Sequence, residues 1–132
     1  MPKYILKRLV PNDAVKLKDG IFSVDGVNVI SPIPISELPE SPRDVLTIEI
    51  DDQVVFSPEK QELADDVRIM IEGDEFNIDT IKQACGGTIP LGVKIHCEMP
   101  NKFGFAVGET HKVKVKLSSV YPMEIEMERT IT

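Results

Sequence analysis

The chain has 132 residues and a formal net charge of −7, with a pI near 4.8, so it would repel a polyphosphate backbone and an anionic leaflet, which argues against nucleic-acid and membrane-surface binding. Apolar residues make up 42% and charged residues 28%, the balance of one soluble domain over 1–132 that is large enough to bury a single core. Met1 to Arg8 holds no apolar stretch of leader length, and no uncharged apolar run reaches the roughly 18 residues of a spanning helix, so a cytoplasmic location is expected.

In chain order the sequence reads as short strands punctuated by Pro, Gly and Asp. Tyr4 to Val10 is predicted as a first strand, ended by Pro11-Asn12-Asp13, and Val15 to Gly20 is a brief alternating segment. Ile21 to Ile30 is the next strand, inside which Asp25-Gly26 reads either as a two-residue turn or as a bulge. Residues 31–42 contain Pro32, Pro34, Pro39 and Pro42, which remove ladder donors and fix φ, so an extended crossover between layers is expected. A docking ligand for an aromatic groove is the less favoured reading, since Pro39 and Pro42 lie beside acidic residues.

Val45 to Ile50 and Gln53 to Phe56 form a hairpin about Asp51-Asp52, because Asp accepts the positive φ of a tight turn. Ser57-Pro58-Glu59 opens a loop or helical turn through Leu63. Val67 to Ile71 and Glu75 to Ile78 are strands about a Gly73-Asp74 turn, and Asp79 to Ala84 makes one or two helical turns with Asp79 as N-cap and Gly86-Gly87 as stop. Leu91 to Met99 alternates again, and Pro100 to Gly108 is a loop carrying Phe103 and Phe105.

The last hairpin is the most strongly specified. His111 to Leu117 and Met123 to Glu128 alternate strictly about Ser118 to Pro122. Folding back about Val120 sets Lys116 opposite Glu124, Lys114 opposite Glu126 and Lys112 opposite Glu128, with Leu117, Val115 and Val113 meeting Met123, Ile125 and Met127 on the other face. Such cross-strand pairs contribute roughly 0.2–1 kcal/mol each. A slip of one residue would turn every Val and Ile to water. The fold expected is all-β: an antiparallel β-sandwich of immunoglobulin or jelly-roll type, with eight or nine strands and at most one short helix.

No catalytic constellation assembles from these residues. His96 and Cys97 are adjacent in a strand and so point to opposite faces; a metal set would need Cys85 and His111 at no recognisable spacing. Two cysteines are too few for a disulfide framework, and Cys97 reads as an apolar filler. Asp51-Asp52, Asp65-Asp66 and Asp74-Glu75 sit where turns want Asp, match no calcium loop, and need no further role. Gly86-Gly87 lacks the Lys and Ser/Thr of a phosphate loop. Lys112, Lys114 and Lys116 are expected to be cancelled by the facing glutamates on a solvated face. Catalytic, cofactor and metal residues are therefore expected to be none. Phe103, Phe105 and Tyr121 are the candidate interface, since loop aromatics are either packed under the loop or offered to a partner.

Three stretches carry a resemblance: Leu46 to Phe56; Val67 to Ile81, with Gly73, Phe76, Ile78, Asp79 and Ile81; and Gly108 to Val115, with Gly108, Glu109, His111, Val113 and Val115. Over roughly residues 45–117 the chain resembles the small β-subunit family of the bacterial C-glycoside deglycosidases. That resemblance implies a non-catalytic accessory sandwich that docks on and stabilises a TIM-barrel α-subunit. The divalent metal and the groups that cleave the carbon–carbon bond of a 3-oxo-C-glycoside would then belong to that partner, with no cofactor held in this chain. The alternative is a stand-alone binding module, monomeric or homo-oligomeric. An independent enzyme ranks last, because no nucleophile, base and orienting group can be assembled.

Overall fold

The computed structural model describes residues 3–37, 41–118 and 122–132. Among these described residues nine strands form two antiparallel sheets. The first contains β1 (Val15–Lys18), β2 (Ile21–Val27), β5 (Arg68–Ile71), β6 (Asp74–Phe76) and β7 (Lys94–Pro100), in the order β1-β2-β7-β5-β6. The second contains β3 (Leu46–Ile50), β4 (Gln53–Phe56), β8 (Thr110–Leu117) and β9 (Met123–Thr130), in the order β4-β3-β8-β9. The fold is thus the all-β sandwich that the alternating pattern predicts.

The register of β8 on β9 matches the expectation pair for pair, from Leu117 opposite Met123 to Lys112 opposite Glu128. Between β3 and β4, Asp51 and Asp52 take φ of 51° and 67°, the left-handed pair that a two-residue turn requires. Of the proline-rich 31–42 stretch between β2 and β3, residues 38–40, with Pro39, lie outside the described residues. Within the stretch Ile33 bridges Ile89, and Ile35–Glu37 makes a 3-10 turn.

The structure corrects several expectations. Helix α1 (Lys3–Leu9) replaces the predicted first strand. Ile5, Leu6, Leu9 and Val10 fall on one helical stripe, with Leu6 buried, and Lys7 and Arg8 stand in the last turn where they complement the dipole. Its end is held from far along the chain: the buried Arg129 guanidinium donates to Val10 O at 2.6 and 3.0 Å and to Leu6 O at 3.3 Å. Asp25-Gly26 is neither turn nor bulge, since β2 runs straight through it against His96 and Ile95. A Cβ at Gly26 would lie 3.3 Å from Leu9 O, so the small residue lets α1 lie against the strand.

The turn between β5 and β6 is Glu72-Gly73, both at positive φ, one residue earlier than expected. Asp79 caps nothing; it forms a two-point ion pair with Arg43, at 2.8 and 2.7 Å. Asn77 supplies the turn instead, its Oδ1 accepting from the backbone N–H of Asp79 and Thr80. The following 3-10 segment, Ile81–Gly87, kinks through Ala84, Cys85 and Gly86. With the four-residue α2 (Pro42–Val45) and a third 3-10 turn at Ala64–Asp66, the helical content exceeds the one short helix expected.

Two separate apolar clusters stabilise the sandwich. Ile71, Ile81, Ala84, Ile89 and Val93 lie under the first sheet, and Phe56, Leu63, Ala64 and Ile78 under the second. Both are covered by the connecting loops rather than by the opposite sheet. The apolar face of β8 and β9 is different: Val113, Val115, Leu117, Ile125 and Met127 are only half-buried and Met123 is exposed.

Candidate functional site

Phe103 and Phe105 occupy the loop that carries the chain from β7 in one sheet to β8 in the other. Asn101 shapes that loop: its Nδ2 donates to Phe105 O at 2.8 Å, while its Oδ1 accepts from the N–H of Phe103 and Phe105. Phe103 and Phe105 consequently stack, with centroids 5.2 Å apart, and both meet the buried Phe22 edge-on at 6.1 and 5.8 Å. Edge-to-face pairs of this kind add about 0.5–1.5 kcal/mol beyond burial. Both rings are half-buried, so each fastens the loop to the first sheet while staying partly exposed. Tyr121, the third candidate, lies outside the described residues.

Phe103 and Phe105 line an open groove of about 420 Å³ together with Val54, Val55, Leu63, Lys60, Glu62 and Lys102. Asp51, which also lines the groove, belongs to a cluster that the sequence did not single out. His111 of β8 holds Asp51 by Nδ1 at 2.6 Å and Glu109 by Nε2 at 3.1 Å. Only an imidazolium can donate from both nitrogens. Partial burial alone would push the pKa of His111 down, but the hydrogen bonds of Asp51 and Glu109 outweigh it and the net direction is up. Asp51 is lowered in return, first by His111 and then by the N–H of Lys112, and Glu109 by the N–H of Ala106 and then by His111.

The first sheet repeats the arrangement. His96 on β7 holds Asp25 of β2 by Nδ1 at 2.6 Å and Glu98 by Nε2 at 3.0 Å, and these two bonds raise its pKa. In both cases one acid is two residues from the histidine: Glu98 shares a face of β7 with His96, and Glu109 stands in the loop just before β8. That spacing was visible in the sequence. The second acid comes from a neighbouring strand or turn, which the sequence alone could not supply.

Chemically these clusters are clamps. Each imidazole has both nitrogens engaged, and among the described residues no hydroxyl or thiol hydrogen-bonds to either ring. Among the described residues no group of three or more His, Cys, Asp and Glu side chains is disposed to hold a metal ion. Cys85, with φ of 53°, sits in the kinked 3-10 segment, and its thiol is raised, chiefly by burial. Cys97 stands in the row between Val24 and Ile69, and burial, with Asp25 adding to it, pushes its thiol up to about 11. Neither thiol is poised as a nucleophile.

The lysines of β8 depart from expectation. Their backbone partners are the β9 glutamates, yet Lys112 Nζ lies 2.8 Å from Asp52 and Lys116 Nζ 3.3 Å from Glu49, both on the β3 side. Lys114 alone faces β9, at 3.9 Å from both Glu124 and Glu126. The glutamate row is thus only thinly neutralised.

Among the described residues no helix is long and apolar enough to cross a membrane. No family model matches the chain, and no curated protein matches it either.

Proposed function

We propose that this chain is a non-catalytic accessory subunit, a β-sandwich that docks on and stabilises a larger enzyme subunit. The observation that carries the reading is the apolar face of β8 and β9, where six consecutive inward positions, Val113, Val115, Leu117, Met123, Ile125 and Met127, include no buried residue. A sheet face of this composition is stable when covered.

The resemblance in residues 45–117 supplies the finer proposal. The partner would be a metal-dependent TIM-barrel α-subunit of a C-glycoside deglycosidase-like complex, with the acid/base groups and the divalent ion on its side. The test is purification of the tagged chain from its native cells, with light scattering and mass spectrometry on whatever co-elutes. A barrel protein of the sugar isomerase type in fixed ratio, with 3-oxo-C-glycoside cleavage only in the complex, is the expected result. Elution alone, or only with itself, overturns the proposal. The groove beside Phe103 and Phe105 favours a second reading in that event, a stand-alone binding module whose ligand lies against β4.

A further inference from the structure

The free edge of β9 is unlike every other edge in the molecule. On β8, Asp51 N–H reaches Lys112 O from the β3 side, while Ile131 N–H continues the β9 side at Glu109 O. Even-numbered residues of β8 therefore bond to β3 and odd-numbered ones to β9. In antiparallel pairing the backbone groups of Glu124 and Glu126 must then point away from β8, toward solvent. The open stretch ends at Glu128, whose carbonyl accepts from Arg129 Nη1 at 2.6 Å. Along this edge Glu124, Glu126 and Glu128 project from one face, and Lys114, at 3.9 Å, is the one cation within salt-bridge reach of them among the described residues. Met123, Ile125 and Met127 project from the other face and are incompletely covered.

We infer that the β9 edge is a strand-addition site for an extended segment of a partner protein with lysine or arginine at alternate positions and apolar residues between them. Such a strand repeats the relation of β8 to β9 on the outer side: its cations meet the under-neutralised glutamates, and its apolar side chains extend the half-buried face. A second copy of this chain does not fit. Symmetric β9 pairing would set Glu126 against itself and Glu124 against Glu128. The edge of β6 is acidic, with Asp74 and Glu75. The edge of β1, which does carry Lys16 and Lys18, is taken by Thr132, which donates to Val15 O and accepts from Leu17 N–H. That of β4 has no cation of its own, and Lys60 Nζ sits on Val54 O at 3.3 Å. This inference rests on the accessory-subunit reading for the existence of a partner, and adds the chemistry of the contact.

The experiment is residue-resolved amide hydrogen exchange on the intact chain with a blocked peptide of alternating lysine and valine. Slowing of the Glu124 and Glu126 amides by at least about tenfold is expected. The effect is expected to vanish with the Glu124→Lys, Glu126→Lys double variant, with an alternating glutamate–valine peptide, and with a lysine–valine peptide N-methylated at alternate positions, which keeps its charge but cannot pair. No slowing at these amides, or equal slowing by the N-methylated peptide, overturns the inference. The same measurement on the purified native complex separates the two proposals. A stable complex in which Glu124 and Glu126 exchange as in the free chain refutes the edge and leaves the subunit reading standing. Peptide pairing without any native complex refutes the subunit reading and leaves the edge.

Discussion

The imidazole of His111 lies against the ring of Phe105, with centroids 3.9 Å apart and planes 26° from parallel. One side chain thereby ties β8, the β3–β4 turn through Asp51 and the cross-sheet loop through Glu109 and Phe105. The cationic form is favoured by both carboxylates and by the aromatic face. A group whose folded pKa is raised stabilises the fold fully below its unfolded value, ordinarily 6.5, and loses that contribution as pH rises through the folded pKa. His96 acts in the same direction. Asp51 and Glu109, being lowered, contribute above their ordinary values of 3.8 and 4.5 and lose it as pH falls below them. Urea midpoints should therefore be highest between about pH 5 and 6.5 and decline on both sides. His111→Gln should flatten the alkaline decline; an unchanged slope above pH 6.5 would show that the clamp does not form.

Arg129 is buried at 8% exposure and bonds to backbone carbonyls rather than to an acid. Burial accordingly lowers its pKa. Arg129→Ala strips the end of α1 of these donors and should cost about 2–3 kcal/mol in urea unfolding, on the scale of bonds to a charged group. Arg129→Lys should recover only part, because an ammonium lacks the planar fork. Amide exchange in α1 should accelerate most.

Gly87 has φ of 101°, and a Cβ there would lie 2.6 Å from Ser36 Oγ and 2.9 Å from Ser36 Cβ. Gly87→Ala should destabilise by about 1–3 kcal/mol. Adding Ser36→Gly should relieve the clash and leave the backbone strain, so rescue measured by thermal unfolding should be partial. Full rescue would mean that the positive φ costs nothing.

Ile71 is 1% exposed. Ile71→Ala should cost about 2–5 kcal/mol. Ile125→Ser on the open face of β9 should cost about 1 kcal/mol or less in the isolated chain, but sharply weaken capture of the partner subunit. Equal losses of stability at the two sites would mean that the β8–β9 face is already packed.

Cys97, with its thiol near 11, should resist iodoacetamide at pH 8 in the native chain and react on unfolding. Rapid native labelling at Cys97, read by peptide mass, would contradict its place in the apolar row.

The parts legible in sequence were those set by a local rule. Strict alternation specified the β8–β9 register, and Asp51-Asp52 announced its turn, since a period of two and a positive φ are properties of adjacent residues. Tyr4 to Val10 was misread because its apolar residues suit a short strand as well as a helical stripe, and the deciding partner, Arg129, stands more than a hundred positions away. Asp79 looked like a cap until Arg43 claimed it. Of the two histidine clamps the sequence disclosed only the acid two residues distant. Lysine direction was equally hidden: the backbone register places Lys112 opposite Glu128, but a long side chain is free to lean the other way, and Asp52 draws it there.

The hold of Arg129 on α1 also sets an order in time. A seven-residue helix has little stability alone, so α1 depends on its seat against β2, where Gly26 lets it approach, and on the bonds that Arg129 makes to its end. The second of these contacts exists only once β9 has taken its place. Refolding should therefore show α1 amides reaching full protection together with β9, after the β3–β4 turn is already in place.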